Sequence, residues 1–429
     1  MWLTNHSRAR LTGRAWLAGL CFSLFSLSSG ALNGAEGLTL DDAIAATLSD
    51  SPNLKALGFA MRAQDARVLQ ASLSPRPELN VTVEDVLGTG IAQGVSGAQT
   101  TVSIAWVREG DLRQRRIDVA TTGSLVLAAE ADIMRLDAAA QTARYHIHAL
   151  ARQAQLALAE QAILLADESI AAVTQRITAG TTLTTELYLA QAERARRELR
   201  REDLSHELLG DYYLLASQWG DLVPAFATVD GDLNSLPVVA AFDDLLARMQ
   251  QNPDLERFLS EQRLNEAELR LEQYQRNALW RFNAGLRRME LDSNMGFVAG
   301  VSIPLNRGNQ NQGRIDEVRA KLEETAALHE AAGIRLQTSL FVLYQELQHS
   351  LHRVTTLRDD IIPRYQEALT ETRRAYEIGR SSFLEWMQVQ ELLLAANGEL
   401  VEAEAQALQY SIEIERLTGM RMPQAELSL

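Results

Sequence analysis

The chain has 429 residues and a formal net charge of −15 at pH 7, because 56 acidic residues outnumber 41 lysines and arginines. This length is sufficient for two ordinary domains, and the acidic balance argues against a nucleic-acid partner. The only cysteine is Cys21, which excludes a disulfide within one chain.

Residues 1–35 have the pattern of a secretory signal peptide. Basic residues come first, an apolar stretch covers 15–27, and small residues precede a cleavage site near Ala35. The apolar stretch is too short to span a bilayer, and no later stretch reaches about 20 apolar residues. We therefore predict an exported chain without a transmembrane helix. Cleavage near Ala35 is favoured over lipidation of Cys21, because Leu20 stands where a small residue is wanted, but lipidation remains an open alternative.

The remaining chain is an internal repeat with a period of about 200 residues. Matching segments include Arg116–Asp118 with Arg314–Asp316, Gly180 with Gly379, and Glu186 with Glu385. We predict the following division: signal peptide 1–35, repeat 1 over 36–220, a linker over 221–240, and repeat 2 over 241–429.

Each repeat has the pattern of a helix, a strand hairpin, a long helix and a returning helix. The long helices are predicted at about 112–177 and 313–378, where apolar residues recur at heptad spacing and indicate coiled-coil packing. Pro363 lies inside the second long helix, where it removes a backbone hydrogen bond and should bend the helix. The matching position in repeat 1 is Leu164, so we expect the two helices to differ in curvature.

Four segments alternate apolar and polar residues, as strands of outer-membrane barrels do. Their apolar side carries aromatic residues that would face lipid: Trp106, Trp280, Phe282 and Phe297. The alternative is a four-stranded sheet packed on the chain's own helices. In lipid, open sheet edges are not tolerated, and the smallest membrane barrels have about eight strands. One chain supplies four, so we predict a barrel shared between copies, and three copies would supply twelve strands.

These features together resemble the TolC-type outer-membrane efflux factors. The residues that carry the resemblance are the signal peptide, the repeat, the segment GVSIPLNRGNQNQG that begins at Gly300, and the turn Tyr376-x-x-Gly379. The sequence of that segment is most similar to the sequences of the heavy-metal (CzcC-like) branch of this family. The resemblance covers the whole chain after the signal peptide.

The resemblance implies a homotrimer that is mainly α-helical, with a shared 12-stranded outer-membrane β-barrel on a long α-helical coiled-coil barrel in the periplasm. It implies docking to a periplasmic adaptor protein and an inner-membrane pump of the RND type. The duct would be passive, without cofactor or enzymatic activity, and its cargo would be heavy-metal cations. Export of drugs or proteins through the same duct stays open, and so does a periplasmic coiled-coil adaptor or scaffold as a protein of another class.

The resemblance also implies an acidic ring at the periplasmic entrance, made by Glu186 and Glu385 six positions after the tip glycines. Gln388 replaces an acidic residue of some relatives, so a single ring is expected. Crowded carboxylates attract cations and should have raised pKa values. An alternative is that both glutamates only stabilise helix N-termini.

The other charged and metal-binding residue types near these segments have simpler interpretations. Arg176 and Arg380, next to the tip turns, are expected as solvated surface charges, and contacts to the adaptor or salt bridges that close the tip are the alternatives. His146 and His148 cannot share a helix face at this spacing, and His349 and His352 lack a third ligand nearby, so we predict surface or lumen histidines and no metal site.

Overall fold

The computed structural model describes residues 37–90, 93–305 and 310–419. The predicted signal peptide, with Cys21 and Ala35, lies outside these residues, as do residues 306–309 and the last ten residues of predicted repeat 2. The described chain is mainly helical, as predicted, with one small sheet at one end of the long helices.

The helices and strands follow one another in the order expected from the repeat. The helices are α1 (Leu40–Asp50), α2 (Pro52–Ala71), α3 (Leu112–Thr178), α4 (Thr184–Ala216), α5 (Phe242–Met249), α6 (Pro253–Gln275), α7 (Gln312–Thr356), α8 (Ile362–Glu377) and α9 (Phe383–Thr418). The strands are β1 (Glu78–Glu84), β2 (Gln99–Arg108), β3 (Trp280–Met289) and β4 (Asn294–Ser302).

α3 is continuous over 67 residues, which corresponds to about 100 Å at 1.5 Å per residue. Its buried positions are mostly alanine, including Ala139, Ala140 and Ala143, which have 2% exposure or less. Small side chains let neighbouring helix axes approach closely, and α3 contacts both α4 and α9. α3 is therefore the central helix of the protomer.

The long helix of repeat 2 is interrupted. α7 ends at Thr356, a π-helical turn covers Leu357–Ile361, and α8 begins at Ile362 with Pro363 in its first turn. Proline has no N–H and its ring collides with the carbonyl four residues earlier, so a regular helix cannot pass through this position unchanged. A π turn inserts one extra residue into the helix, and sharp kinks occur at such turns as they do at proline.

The segment between the repeats lies across the long helices. Leu38 forms a parallel bridge with Val229, and its amide donates to the carbonyl of Thr228 at 2.9 Å. His146 of α3 has 2% exposure, and its Nε2 lies 2.9 Å from the carbonyl oxygen of Leu38. Burial lowers the pKa of His146. The prediction of a surface or lumen histidine is therefore wrong for His146, although His148 is exposed.

Candidate functional site

The sheet separates an apolar face from a polar face. Its order is β1-β2-β3-β4 with antiparallel pairs, and Trp106 lies opposite Phe282 while Leu286 lies opposite Phe297. This register places the aromatic residues expected to face lipid on one side of the sheet. The exposed apolar residues of that side include Leu79, Val81, Val102, Ile104, Trp106, Trp280, Leu286, Phe297 and Val301.

Three of the four aromatic residues of this face lie together at the end where the strands meet the helices. Trp106 stacks on Phe282 with 6.0 Å between ring centroids, and Trp280 lies 6.2 Å from the same ring. Trp106 and Trp280 remain 43% and 48% exposed. Exposed tryptophans at the rim of an apolar band are typical of a membrane–water interface.

The opposite face of the sheet is hydrogen-bonded across strands. Arg287 donates to Thr101 at 2.9 Å, to Gln99 at 3.1 Å and to Glu84 at 3.0 Å, so one side chain links β3 to β2 and β1. Among the described residues, β1 and β4 each pair with a strand on one side only. The sheet therefore has a polar face, an apolar face and two edges without a partner strand among the described residues.

At the far end of the helices, two turns of the same form reverse the chain. Gly180 has φ +69° and Gly379 has φ +76°, a left-handed conformation that favours glycine. The amide of Thr181 donates to the carbonyl of Arg176 at 2.9 Å, and that of Arg380 donates to the carbonyl of Ala375 at 2.8 Å. These bonds close the last turns of α3 and α8 in the same way.

Tyr376 connects the two turns. Its hydroxyl donates to the carboxylate of Glu186 at 2.7 Å, and it has 1% exposure. The guanidinium of Arg176 lies 4.5 Å from the centre of its ring and donates to its carbonyl oxygen. Burial and the hydrogen bond to Glu186 raise the pKa of Tyr376. The prediction of a solvated surface charge is therefore wrong for Arg176, because its cation is held against an aromatic face; Arg380 is exposed.

An aromatic cluster supports Tyr376 from the side of α9. The ring of Trp386 stacks on Tyr376 at 5.1 Å, and Phe383 meets Trp386 edge-on at 6.2 Å. Val173 of α3 and Ala190 of α4 complete this buried group. Phe383 and Trp386 lie in the first turn of α9, and both are buried.

Glu385 has a different local role from its repeat partner Glu186. It accepts a hydrogen bond from the amide of Ser382 at 2.8 Å, and its own amide donates to the Ser382 hydroxyl at 3.2 Å. This reciprocal pair is a capping box. The amide of Ser382 and the hydroxyl of Ser381 lower the pKa of Glu385. α4 begins after Leu183 without a side-chain cap, which leaves Glu186 free to accept from Tyr376.

Farther along the helices from the tip turns, a buried polar contact joins the two repeats. Gln390 donates to the hydroxyl of Ser169 at 3.0 Å, and Arg197, with 6% exposure, donates to the carbonyl of Ala162 at 2.7 Å. Gln191 precedes Gln390 by 199 residues and is therefore its counterpart in the repeat, but Gln191 is exposed.

Comparison with known proteins supports this arrangement. The family profile described as outer membrane efflux protein matches residues 249–420. The chain is 25% identical over 383 residues to the cobalt-zinc-cadmium resistance protein CzcC of Cupriavidus metallidurans, covering 89% of this chain and 90% of that protein.

Solved structures show the same fold. The outer membrane protein VceC of Vibrio cholerae matches with a TM-score of 0.73 and 16% identity, covering 89% of this chain and 96% of that one. The CmeC outer membrane channel of Campylobacter jejuni matches with a TM-score of 0.71 and 11% identity, covering 90% of this chain and 87% of that one.

These matches concern transport channels and not enzymes. No helix among residues 37–90, 93–305 and 310–419 is long and apolar enough to cross a bilayer. The predicted outer-membrane location and the predicted efflux role are confirmed. The resemblance to TolC-type outer-membrane efflux factors is likewise confirmed, because the profile described as outer membrane efflux protein matches residues 249–420.

Proposed function

We propose that the chain is the passive exit duct of a tripartite efflux system and works as a homotrimer. The observation that carries this proposal is the sheet, which has one exposed apolar face and two open edges. Unpaired backbone groups are costly in hydrocarbon, so the edge strands β1 and β4 need partners there. Because β1 and β4 run in opposite directions, β4 of one copy can pair antiparallel with β1 of the next.

Three copies joined in this way form a 12-stranded barrel. The polar face with Arg287 and Glu84 then faces the lumen, and the face with Trp106 and Phe297 contacts lipid. The helices continue the pore as a tunnel of about 100 Å, which is the length of α3. In this arrangement each repeat supplies one strand hairpin and one coiled coil, so each copy supplies two of each. The repeats are 36–220 and 241–429, and the linker 221–240 joins them.

The turns at Gly180 and Gly379 form the periplasmic entrance in this proposal. Glu186 and Glu385 of three copies place six carboxylates around the mouth, which raises the local concentration of cations. The contact of Tyr376 with Glu186 ties repeat 2 to repeat 1 at this end. The entrance is therefore charged, and its two turns are tied together within each protomer.

The cargo proposed here is divalent heavy-metal cations. Support comes from the relative named for cobalt, zinc and cadmium resistance and from the acidic entrance. The partners are a periplasmic adaptor protein and an inner-membrane pump of the RND type, which supplies the energy. Drug or protein export is the second possibility for the same duct, but none of the observations above favours it.

The experiment is to purify the protein in detergent, measure the mass of the protein part by light scattering, and reconstitute it in planar bilayers. A mass of three chains and discrete cation-preferring conductance steps are expected. A stable monomer that neither inserts into bilayers nor fractionates with the outer membrane would contradict the proposal.

A further inference from the structure

The interruption between α7 and α8 sits at a defined place in the protomer. It comprises the π turn Leu357–Ile361 and Pro363, while the corresponding part of α3 is a continuous helix. A π turn and a proline both weaken the ladder of backbone hydrogen bonds, so bending costs less here than in the adjoining helix. Only the second repeat has such a weak point among the long helices that the structure describes.

The π turn presents Arg358 to two other segments. Its guanidinium donates to Glu404 of α9 at 2.6 Å and to the side-chain oxygen of Asn234 in the linker at 3.0 Å. Glu404 has 4% exposure, so its charge depends on Arg358 for compensation. Asn234 is itself fixed by Asp232, whose carboxylate accepts from its amide at 2.9 Å. We call the three residues Arg358, Glu404 and Asn234 the Arg358 bridge.

Apolar packing at the same level also involves the linker. Val354, Leu357 and Ile362 pack against α9, and Leu236 of the linker covers them. The weak point is therefore closed on one side by a segment that belongs to neither long helix. A shift of the linker would remove both the Asn234 hydrogen bond and part of this cover.

α8 is long enough that a small tilt at the π turn displaces its end at the tip by several ångströms. It has 16 residues, or about 24 Å, between the π turn and the tip, so a tilt of ~10° moves its end by about 4 Å. Tyr376 lies at that end and is bonded to Glu186 at 2.7 Å. A displacement of this size exceeds the range of a hydrogen bond.

We propose that the turn Leu357–Ile361 with Pro363 is a hinge for opening the entrance, and that the Arg358 bridge holds this hinge at rest through the linker. This inference rests on the proposed channel function. In this proposal the linker controls the opening of the entrance, because displacement of Asn234 and Leu236 removes contacts that hold α8. The linker does this at a distance from the tip.

The test is hydrogen exchange of the purified full-length protein, read out by mass spectrometry. Glu404→Gln removes the charge that Arg358 neutralises and keeps the shape, and it should speed exchange of the amides of α8 about tenfold, as expected for loss of a charge-assisted hydrogen bond. The matched control is Glu317→Gln, since Glu317 pairs with Lys321 at 2.9 Å in the part of α7 that lies far from the π turn. This control should leave exchange in α8 near the wild-type rate, and exchange in α3 should stay unchanged in both variants.

Two further variants keep the proposal testable if Glu404→Gln fails to assemble. Asn234→Ala, at an exposed linker position, should speed exchange in α8 several-fold. Pro363→Ala should restore regular helix and slow exchange over Leu357–Ile361 by about tenfold or more. Unchanged exchange in α8 for Asn234→Ala and Glu404→Gln, or unchanged exchange at the π turn for Pro363→Ala, would overturn the hinge.

Planar-bilayer recordings separate this proposal from the channel function. A wild-type protein that conducts should open more often with Glu404→Gln and less often with Pro363→Ala. A wild-type protein that never conducts would refute the channel function while the exchange data still decide whether the turn is a hinge. Conduction with identical opening in all variants would refute the role of the hinge alone.

Discussion

The hydroxyl of Tyr376 donates a 2.7 Å hydrogen bond to the carboxylate of Glu186, which joins the end of α8 in repeat 2 to the start of α4 in repeat 1. The guanidinium of Arg176 lies 4.5 Å from the centre of the same tyrosine ring. A phenol, a carboxylate and a guanidinium therefore meet at one place on the tip. This contact fixes the relative position of the two turns.

Tyr376→Phe should weaken this connection and leave the aromatic packing in place. The loss is expected to be about 1–2 kcal/mol of local stability, because the hydrogen bond has an ionised acceptor. Hydrogen exchange of the tip amides should speed up, and channels in planar bilayers should open more often. Tyr213→Phe is the control, because Tyr213 is 44% exposed and lies in α4 far from the tip turn. Equal opening of both variants would show that the Tyr376 contact does not hold the entrance.

Acid should loosen the start of α9. The folded protein lowers the pKa of Glu385 below its usual value of 4.5 by hydrogen bonds from Ser382 and Ser381. A lowered folded-state pKa means that the stabilisation is present above pH 4.5 and is lost as the pH falls through the lower, folded value. Amide exchange at 383–386, corrected for its intrinsic pH dependence, should therefore rise below about pH 4.5.

Glu385→Gln provides the matched comparison for that titration. Glutamine can keep the capping-box geometry but does not titrate, so the acid-dependent loss of protection should disappear. A variant that follows the same pH curve as the wild type would assign the loss to another carboxylate.

The double variant Glu186→Gln with Glu385→Gln should lower the cation selectivity of single channels. It removes both proposed mouth charges of every protomer with little change in side-chain size. Reversal potentials measured across a KCl gradient should shift toward zero.

The control for this double variant removes the same number of charges away from the tip turns. Glu198→Gln with Glu202→Gln serves this purpose, because both glutamates lie at exposed positions of α4. Its reversal potential should stay close to that of the wild type. If both double variants shift the potential equally, the charges act only through the overall field of the protein.

A charge on the apolar face of the sheet should prevent stable insertion, whereas the same charge on the polar face should be tolerated. Ile104→Lys places a cation in the middle of the apolar face and is expected to cost about 2–4 kcal/mol in lipid. Thr82→Lys, on the polar face of β1, is the control. The yield of heat-resistant trimer in outer-membrane fractions measures the difference. Equal yields would mean that this face does not contact lipid.

The periodic features of the fold were predictable from the sequence, because they depend on local patterns. Heptad spacing indicated the long helices, and α3 ends at Thr178, one residue from the predicted end. Strict alternation of apolar and polar residues indicated the four strands. It also placed four aromatic residues on one face, and the register of the sheet agrees: Trp106, Trp280, Phe282 and Phe297. Pro363 indicated where the second long helix would change, but proline alone does not specify a π turn.

The contacts at the tip were not predictable in the same way. The repeat made Glu186 and Glu385 look equivalent, although one accepts from Tyr376 and the other caps α9. Arg176 looked like a surface charge, because nothing local shows that Tyr376, 200 residues later, lies beneath it. The same limit applies to His146, whose partner Leu38 belongs to a distant segment.

By itself, the sequence determined the export signal pattern, the repeat, the long helices and a sheet too small to close alone, since each follows from residue order or from composition. The tertiary structure decided which of two similar glutamates bonds to Tyr376 and which arginine side chains are held in contacts. It also decided how Arg358 reaches both Glu404 and Asn234. These outcomes depend on how distant segments pack, and packing brings together residues that no sequence period relates.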